Sequence, residues 1–511
     1  MQWQELIRDV KSLEQRNSSA QADIISIEYD SRRVSADSVF VAMRGGATDG
    51  NRYIATAVAQ RTAGIVTDSQ ESFRQLAVTN PALPLLLVEH GRTALAQLSA
   101  AFFNHPERKL RSTGVTGTNG KTTTAFLTES LLNHAGRIAL LVGTIENHIA
   151  GEVREAIHTT PESRDLFALI AEGVDRGATE LVMEVSSHAL DQGRVAEIGY
   201  DVAIFTNLTR DHLDYHQTME AYFAAKRLLF DGSRYKAPRV AVLNADDQYS
   251  NELAAVASAA GATVVTYGMS THANWRAEGL ELTPSGAEFQ LIAPAGEAQI
   301  KSHLAGEVNV LNLLGALAAA HSRGVDFAAL VKTAPLLRPV PGRFQPVNAG
   351  QPFTVIVDYA HTDDALRNLT RLARQLLAAP SSQPATNRRV ITLFGCGGDR
   401  DRTKRPKMGQ AAGEGSDLVI VTSDNPRSEE PDAIIVEILP GLIATGTDYL
   451  VEPDRAAAIA LALSHAHTGD VVLIAGKGHE TQQVLRNEVI FFSDAKVALS
   501  ALQAMGYGGE Q

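Results

Sequence analysis

The chain lacks most features of secreted, membrane-spanning and nucleic-acid-binding proteins. Its single cysteine, Cys396, excludes an intramolecular disulfide framework and a cysteine-rich zinc site. No apolar run reaches the roughly 18 residues that a membrane-spanning helix needs. Acidic residues outnumber basic ones, 58 to 46, and the net charge of −12 argues against nucleic acid as the main ligand. The opening stretch MQWQELIRDVKSLEQ mixes charges into a helical pattern without the apolar core of a signal peptide, so we expect a cytoplasmic protein.

A length of 511 residues predicts about three domains. We place them at residues 1–109, 110–336 and 337–511, with a linker at 335–347 that carries four prolines. The second and third segments alternate strand and helix patterns, which predicts an α/β fold with parallel sheets covered by helices. The predicted strands of the first segment are Ile24–Ile27, Val39–Met43, Ala63–Val66 and Leu85–Val88. Those of the second are Gly114–Thr116, Ile138–Val142, Glu180–Val185, Val202–Phe205, Val240–Leu243 and Thr263–Thr266, followed by an antiparallel flap at Trp275–Lys301. Those of the third are Thr354–Val357, Val390–Phe394, Leu418–Val421 and Val471–Ile474, with helices at Asp363–Leu377 and Ala456–His465.

The stretch RSTGVTGTNGKTTT, residues 111–124, has the pattern of a phosphate-binding loop. Glycines let backbone N–H groups close on a polyphosphate, and the following helix directs its positive end at the same anion. Lys121 neutralises charge, and a threonine hydroxyl can hold Mg²⁺. Val115 stands where a strict Walker pattern has glycine, so the loop is a variant.

Polar loops follow the stronger strands of the second segment: SSHALDQGR, TNLTRDHLDYH and NADD. In an open parallel sheet these loops meet the phosphate loop at the carboxyl ends of the strands. Glu184 ends its strand there and is a candidate Mg²⁺ ligand, with a buried ion pair as the alternative. His212 and His216 are spaced as zinc ligands would be on a helix, but the glutamate of a zinc-protease motif is missing, so a share in a magnesium site or ordinary hydrogen bonding fits better. From the residues alone, Lys226 in EAYFAAKRLLF is interpreted as a surface lysine.

The third segment gathers charged residues after its strands, in DYAHTDD, GCGGDRDRTKRP, SDNPRSEEP and AGKGHE. Arginine side chains hold carboxylates bidentately and acidic side chains hold ammonium groups, so the set suits a zwitterion such as an amino acid. The alternative is a solvated rim of ion pairs. These residues are Arg400, Arg402, Arg427, Lys477, Asp424 and Glu480. GCGG lacks the full dinucleotide fingerprint, which disfavours NAD binding.

In the first segment, the loops YDSRRVSADS and RGGATDGNRY suit an anionic or sugar-bearing ligand, with plain turns as the simpler interpretation.

Taken together, the loops resemble the Mur ligases over about residues 28–494. The motifs are GTNGKTT, TTPES, EVSSHAL, NLTRDHLDYH, the Lys226 helix, NVLN, PGRF, DYAHT, GGDRDRTKRP, DNPR and AGKGHE, in that order. Within the family the likeness is to the members that add the third residue to the peptide of bacterial cell-wall precursors. It implies an N-terminal α/β substrate domain, a central P-loop-type ATPase domain with a parallel sheet and a C-terminal Rossmann-like domain.

The resemblance implies an ATP- and Mg²⁺-dependent ligase. Its small-molecule substrates would be UDP-N-acetylmuramoyl-L-alanyl-D-glutamate and meso-diaminopimelate, with no nucleic acid and no membrane span, and we expect a monomer. An acyl phosphate forms on the D-glutamate carboxylate and the amine displaces phosphate, so positioning and charge neutralisation dominate catalysis.

The family's site residues carry over position by position. The catalytic set is Lys121, Glu184, His212 and Lys226, and the metal ligands are Thr122, Glu184, His212 and Lys226 as a carbamate. ATP would be bound by Thr116, Gly117, Thr118, Asn119, Gly120, Lys121, Thr122, Asn309, Asn312, Arg343 and Asp358. The UDP-linked peptide would be bound by Ser31, Gly46, Ala47, Thr48, Thr159, Thr160, Ser186, Gln192 and Arg194. Diaminopimelate would be bound by Arg400, Asp424, Asn425, Pro426, Arg427, Gly476 and Glu480.

In this family DNPR is typical of diaminopimelate users rather than lysine users. Arg427 offers a guanidinium to the second carboxylate, which lysine lacks. The chain departs from the family at Phe344-Gln345 after PGR, where a glutamate-containing continuation is usual, and at Asp363 after DYAHT, where proline is usual. Three alternatives stay open: a P-loop kinase or NTPase, a non-catalytic nucleotide-dependent binding protein, and a lysine-adding ligase of the same family.

Overall fold

The computed structural model describes residues 1–19, 21–45, 48–283, 286–378 and 388–508. Contacts divide the chain into two compact units. Unit 1 comprises residues 1–274 and 315–326, and unit 2 comprises residues 275–314 and 327–511. Among the described residues, no helix is long and apolar enough to cross a membrane.

The first hundred residues of unit 1 form a five-stranded sheet in the order β1-β5-β4-β3-β2. Its strands are β1 Glu14–Arg16, β2 Ser26–Glu28, β3 Ser38–Ala42, β4 Gly64–Thr67 and β5 Leu85–Leu87. Its helices are α1 Trp3–Leu6, α2 Ile54–Ala59, α3 Gln70–Thr79 and α4 Gly91–Phe102. Pairing is parallel except at β1, and β3 is buried along its whole length, as expected for a strand covered on both faces.

The second sheet of unit 1 has the order β13-β12-β11-β6-β10-β7-β8-β9. Its strands are β6 Arg111–Thr116, β7 Ala139–Val142, β8 Glu146–Ile149, β9 Glu152–Glu155, β10 Glu180–Glu184, β11 Val202–Phe205, β12 Val240–Asn244 and β13 Thr263–Gly268. Its helices are α5 Lys121–His134, α6 Ser163–Asp175, α7 Ser187–Gln192, α8 Leu213–His216, α9 Met219–Arg227 and α10 Ser250–Ala259. The six predicted strands are confirmed, and all six pair in parallel. The antiparallel strands β8 and β9 were not predicted, because their sequences, ENHI and EVRE, are mostly polar and contain no apolar run.

Unit 2 contains the predicted flap as the antiparallel strands β14 Trp275–Thr283, β15 Gly286–Ala293 and β16 Gly296–Ser302. A separate sheet has the order β17-β18-β22-β19-β20-β21. Its strands are β17 Gln345–Pro346, β18 Thr354–Asp358, β19 Val390–Phe394, β20 Leu418–Val421, β21 Asp448–Val451 and β22 Val471–Ala475, and a hairpin follows, β23 Gln482–Val484 and β24 Val489–Phe491. The remaining helices are α11 Glu307–Ser322, α12 Phe327–Thr333, α13 Asp363–Ala378, α14 Lys404–Gly415, α15 Pro431–Ile443, α16 Arg455–Ser464 and α17 Asp494–Ala504.

The four strands predicted for the last segment are confirmed within one residue at each end, and they pair in parallel. Helix α13 buries Leu366, Leu369, Ala373 and Leu376, which recur at helical spacing and pack on the sheet. The departure at Asp363 lies in the first turn of α13. An acidic side chain there is stabilised by the helix dipole, so aspartate suits this end of the helix as proline does.

Candidate active site

The phosphate loop of unit 1 lies between β6 and α5, as predicted. Gly117 has a φ of 149°, and a Cβ there would lie 1.9 Å from Thr206 Oγ1, so the position demands glycine. Helix α5 is fourteen residues long and begins at Lys121. Its amino terminus faces the loop. Lys121 Nζ donates to the carbonyls of Gly117 and Thr118, at 2.9 and 2.8 Å. The loop therefore carries a cation and a helix terminus at one place.

The loop after β11 braces the phosphate loop. Asn207 accepts through its backbone oxygen from Thr118 N at 2.8 Å and through Oδ1 from Asn119 N at 2.9 Å. Thr206 Oγ1 donates to the Asn119 carbonyl at 2.6 Å. Asn244, at the end of β12, donates in turn to the Thr206 carbonyl at 2.7 Å. The predicted meeting of these strand-end loops is confirmed, and the loops after β11 and β12 hold the phosphate loop in shape.

Glu184 is fully buried at the end of β10 and is held by hydroxyl groups. Thr122 Oγ1 donates to its Oε2 at 3.0 Å. Thr144 donates twice, from Oγ1 to Oε2 at 2.9 Å and from its backbone N to Oε1 at 2.7 Å. The hydroxyl oxygen of Thr144, a residue that sequence reasoning missed, also lies 3.1 Å from Thr159 Oγ1.

A carboxylate and a hydroxyl beside a phosphate loop are the hard oxygen donors that Mg²⁺ prefers. Among the described residues no group of three His, Cys, Asp or Glu side chains could hold a metal. That donor set fits Mg²⁺, which takes few protein ligands and completes its shell with water and phosphate oxygens. It does not fit a zinc site.

Lys226 is buried, with 1% of its surface exposed, so its interpretation as a surface lysine is wrong. The helical pattern of α9 could not show that its face packs against the phosphate loop. Lys226 Nζ donates to the Gly117 carbonyl at 2.8 Å and lies 4.5 Å from the centre of the Tyr222 ring. Burial, with the charge of Lys121 nearby, lowers the pKa of Lys226 well below its usual range, although Asp211 opposes the shift.

Three histidines cluster beside Lys226. His188 lies 4.8 Å from His212 and 5.4 Å from His216, measured between ring centres. His216 Nε2 is 2.9 Å from Ser187 Oγ, which gives it an ordinary hydrogen-bonding role. Burial lowers the pKa of His212 to about 4, with Asp211 acting in the opposite direction. His212 is therefore neutral near pH 7, the form in which imidazole binds metal.

The predicted peptide-binding residues of unit 1 form one hydrogen-bonded group. Thr160 Oγ1 donates to the Glu184 carbonyl at 2.8 Å and accepts from Ser186 N at 3.1 Å. Arg194 donates to the Thr160 carbonyl at 2.9 Å and to Gln192 Oε1 at 2.7 Å. The structure thus joins four of these residues to the strand that carries the candidate metal ligand.

Ser31 and Thr48 line a separate cavity of about 470 Å³ in unit 1. Tyr29, Arg32 and Arg92 also line it, so aromatic and cationic groups are both present. Such a lining suits a ligand that has a ring and a phosphate. It favours ligand binding over the simpler interpretation of these loops as plain turns. The predicted ligands Gly46 and Ala47 lie outside the described residues.

In unit 2, the PGRF and DYAHT motifs meet. Asp358 Oδ2 accepts from Phe344 N at 2.7 Å, and Oδ1 accepts from Ala360 N at 2.9 Å. Burial raises the pKa of Asp358, although Arg343 opposes the shift. Gln345 Oε1 accepts from Gly342 N at 2.7 Å. An acceptor oxygen on residue 345 is supplied by glutamine as well as by glutamate, so this departure keeps the hydrogen bond.

Two residues of unit 2 that were predicted to bind the nucleotide lie on helix α11. Asn309 Nδ2 donates to the Ala305 carbonyl at 2.9 Å, and Asn312 Nδ2 lies 3.5 Å from Asn309 Oδ1. Arg343 lies elsewhere in the same unit, with its guanidinium 4.8 Å from the centre of the Tyr359 ring.

The DNPR loop after β20 meets the loop after β22. Asn425 Nδ2 donates to Glu480 Oε2 at 2.8 Å, and Lys477 Nζ donates to the same oxygen at 2.7 Å. Arg427 is half-buried and donates to the Gly398 carbonyl at 2.7 Å. Gly476 lies against Asp424, since a Cβ there would be 2.7 Å from Asp424 Oδ2. The structure thus brings these predicted residues together, with Pro426 buried between them in the loop.

Arg400 and Arg402 lie in different surroundings. A Cβ on Gly397 would lie 2.9 Å from Arg427 Nη1 and 3.7 Å from Arg400 Cγ, which places Arg400 beside the DNPR loop. Arg402 instead donates to Glu437 at 3.1 Å and is largely exposed. Its prediction as part of the zwitterion cluster is wrong. It belongs to an ion pair with helix α15, which sequence spacing could not reveal.

Comparisons with known proteins agree along the whole chain. Family models match three segments: "Mur ligase family, catalytic domain" at residues 23–103, "Mur ligase middle domain" at 115–320 and "Mur ligase, glutamate ligase domain" at 342–478. A protein of Solibacter usitatus named UDP-N-acetylmuramoyl-L-alanyl-D-glutamate–2,6-diaminopimelate ligase is 47% identical, over 96% of this chain and 95% of its own length. A protein of the same name from Geobacillus thermodenitrificans is 44% identical, over 94% and 95% of the two chains.

Solved structures agree with this assignment. A structure titled with the same enzyme name is 31% identical, with a TM-score of 0.69 and 99% of both chains covered. The MurF ligase of Acinetobacter baumannii, at 20% identity and a TM-score of 0.63 over 93% of this chain and 95% of its own, shares the fold. The chain belongs to the Mur ligase family.

Proposed function

We propose that the protein is the ATP-dependent ligase that joins meso-diaminopimelate to UDP-N-acetylmuramoyl-L-alanyl-D-glutamate in peptidoglycan precursor synthesis. The observation that carries the proposal is the DNPR loop held against Glu480, on a chain that also has a Gly-Lys-Thr phosphate loop and a buried Glu184. A phosphate loop alone is shared by many nucleotide-binding proteins. The amino-acid-binding loops are what make this chain a ligase of that class.

The reaction has two steps. The side-chain carboxylate of D-glutamate attacks the γ-phosphorus of ATP, and the bond to ADP breaks, which gives an acyl phosphate. The diaminopimelate amine then attacks the acyl carbon, phosphate leaves and the amine gives up a proton. No protein atom enters a covalent bond in either step, so the enzyme acts by positioning and by neutralising charge.

Unit 1 supplies the phosphate-transfer groups. Lys121 and the amino terminus of helix α5 bind the ATP phosphates. Thr122 and Glu184 would hold Mg²⁺, which would neutralise phosphate charge. Thr144 keeps the Glu184 carboxylate in one orientation through two hydrogen bonds. On unit 2, Asn309, Asn312, Arg343 and Asp358 contribute to ATP binding.

Lys226 works as a carbamate. A neutral amine is needed to add to CO₂, with loss of one proton, and the lowered pKa of the buried Lys226 supplies that neutral amine. The anionic carbamate would offer an oxygen ligand beside neutral His212 to a second Mg²⁺. An ammonium in the same place would repel the metal.

The UDP-linked peptide is bound by two sets of residues in unit 1. The cavity with Ser31 and Thr48 takes the uridine end, together with Gly46 and Ala47. Thr159, Thr160, Ser186, Gln192 and Arg194 take the muramoyl peptide. We also propose domain limits of 1–109, 110–336 and 337–511, and a cytoplasmic monomer, because ATP and the nucleotide-linked substrate are cytoplasmic metabolites.

Diaminopimelate is bound by Arg400, the DNPR loop, Gly476 and Glu480. Arg427 meets its second carboxylate, and lysine, which lacks that group, leaves the guanidinium without its partner. We expect a strong preference for diaminopimelate.

The test is ADP release by the purified protein with Mg·ATP and the UDP-linked dipeptide. One tube contains meso-diaminopimelate, another L-lysine and a third neither amino acid. We expect release with diaminopimelate and little in the other two tubes. Release with lysine alone would identify a lysine-adding ligase. Release without an amino acid would favour an NTPase, and ATP binding with no release would favour a nucleotide-dependent binding protein.

A further inference from the structure

Lys477 is a fully buried lysine outside the phosphate-transfer site. It lies in the AGKGHE loop after β22, with none of its side-chain surface exposed. Nζ donates to Asn425 Oδ1 at 2.9 Å and to Glu480 Oε2 at 2.7 Å. A buried ammonium is costly unless it is paired, so this arrangement ties the cation to those two oxygens.

Asn425 is held from several sides. Its Oδ1 accepts from Lys477 Nζ and from Val484 N, the latter at 3.0 Å, and its Nδ2 donates to Glu480 Oε2. The hairpin β23–β24 adds further bonds to the same loop. Gln483 Nε2 donates to the Asp424 carbonyl at 2.8 Å, and Arg427 N donates to the Val484 carbonyl at 3.1 Å. The DNPR loop is therefore built as a rigid element.

Glu480 has two unlike oxygens. Oε2 accepts from both Lys477 and Asn425, whereas Oε1 accepts from no side chain or backbone group in the part of the chain that is described. The side chain is 30% exposed. One oxygen is thus anchored inside the protein, and the other is available to a ligand.

The backbone around Lys477 allows this inward placement. Gly476 has a φ of 115°, and its Cα approaches the Asp424 carboxylate so closely that a Cβ would lie 2.7 Å from Oδ2. Glycine there lets the loop turn and send the Lys477 side chain beneath Glu480 and Asn425. An exposed lysine at this position would remove the charged one of the two donors that hold Glu480 Oε2.

We infer that Lys477 is a positioning residue for the second ammonium group of the diamino acid. It holds Glu480 so that Oε1 meets the ammonium at the non-reacting end of diaminopimelate, next to the carboxylate that Arg427 binds. The inference rests on the proposed function. It assigns to Lys477 no contact with the substrate and no part in phosphate transfer.

The test compares diaminopimelate with 2-aminopimelate, which keeps both carboxylates and the reacting amine but lacks the second ammonium. The discrimination ratio is kcat/KM for diaminopimelate divided by kcat/KM for 2-aminopimelate. In Lys477→Met we expect KM for diaminopimelate to rise roughly tenfold to a hundredfold, the range for losing a hydrogen bond to a charged group. We expect the discrimination ratio to fall about as much, while KM for ATP and kcat at saturating diaminopimelate stay within about threefold.

A merely structural role would give a different pattern. It would lower the melting temperature and the active fraction but leave the KM values and the ratio unchanged. Arg389→Met is the matched control, because Arg389 pairs with buried Asp470 at 3.0 Å beside the opposite end of the same sheet. We expect this control to lose stability and keep the ratio.

Lys477→Gln is the second variant, since it keeps a donor group and removes the charge. Because it restores part of the bonding to Asn425, we expect it to fold where Lys477→Met does not and to show a smaller fall in the ratio. An unchanged ratio in a folded Lys477 variant overturns the inference and leaves the proposed function standing. Wild-type protein without diaminopimelate-dependent ADP release overturns the proposed function, and the inference with it.

Discussion

Two buried lysines show how differently the two units use the same side chain. Lys226 of unit 1 has 1% of its surface exposed and donates to a carbonyl, with no carboxylate at ion-pair distance among the described residues. Lys477 of unit 2 is equally buried and is bonded to Glu480. Burial without a partner carboxylate lowers the pKa of Lys226, whereas the bonds of Lys477 hold Glu480 and Asn425 in place.

The contrast extends to the surroundings of each site. The phosphate loop of unit 1 is held mainly by the backbone and side chains of Thr206 and Asn207, with two lysines bonded to its carbonyls. The loops of unit 2 lie among buried ion pairs, such as Arg405 with Glu429 at 2.8 Å and Arg455 with Asp494 at 2.7 Å. A site for a highly charged anion gains from neutral walls and few positioned charges. A site for a zwitterion needs both signs of charge in fixed places.

The largest effect is expected at Lys226. Lys226→Ala removes the carbamate, so ADP release should fall about a thousandfold, the scale for losing a strong electrostatic contribution at a reacting centre. Adding short carboxylic acids such as acetate should restore part of the activity, because they replace the missing oxygens. The same acids should leave Lys477→Met unchanged. Undiminished activity in Lys226→Ala would contradict the role of Lys226 as a carbamate and the contrast with Lys477.

The next effect is expected at Arg427. Arg427→Ala should lower kcat/KM for diaminopimelate by about a hundredfold, since a charge-assisted bond to the second carboxylate is lost. The activity with lysine, measured in the same ADP-release assay, should not fall. Arg402→Ala is the control, because Arg402 pairs with Glu437 and should change neither substrate's kinetics by more than about twofold. Equal losses with both amino acids would contradict the role of Arg427.

A smaller effect is expected at Thr144. Thr144→Val removes the hydroxyl bonds to Glu184 and Thr159 but keeps the backbone bond, so kcat should fall about tenfold and the Mg²⁺ requirement should rise. A Mg²⁺ titration of ADP release measures both. Thr128→Val is the matched control, since the hydroxyl of buried Thr128 donates to the carbonyl of Thr124 within its own helix. A normal Mg²⁺ requirement in Thr144→Val would remove Thr144 from the account.

The smallest effect concerns pH and stability rather than catalysis. His148 lies 3.1 Å from Glu129 and 2.9 Å from Glu146; burial lowers its pKa, but the two carboxylates outweigh burial and raise the pKa to about 9. A folded-state pKa above the unfolded value of about 6.5 stabilises the protein fully below pH 6.5, and the contribution is lost as pH rises through 9.

The contribution of His148 amounts to at most about 3 kcal/mol. Urea unfolding of wild type and His148→Gln between pH 6 and 9.5 should show the difference in free energy of unfolding shrinking with pH. A constant difference would contradict the ion pairing.

Much of the fold was predictable because its signals are local. Buried parallel strands such as Val202–Phe205 and Val390–Phe394 are short continuous apolar runs, and both were placed at their observed bounds. The phosphate loop was predictable because its glycines are followed directly by Lys121 and Thr122. Strands β8 and β9 were not predicted because their mostly polar sequences contain no apolar run.

The site residues were predictable only where they belong to a recognisable sequence motif. The resemblance pointed to Lys226, Asn425 and Glu480, but spacing alone made Lys226 a surface residue. Thr144 and the bonding of Lys477 depend on contacts between loops far apart in the chain, which no local pattern encodes. Arg402 is the opposite case. It lies in one of the predicted loops, but its side chain donates to Glu437 and not to the zwitterion cluster.

The most direct test of the central claim is a competition in one tube. Purified protein, Mg·ATP and UDP-N-acetylmuramoyl-L-alanyl-D-glutamate are incubated with equal concentrations of meso-diaminopimelate and L-lysine, and the products are identified by mass spectrometry. The account predicts one new amide, the diaminopimelate adduct, formed in equal amount to ADP. A predominant lysine adduct would contradict the role given to Arg427, and ADP without any amide would contradict the ligase itself.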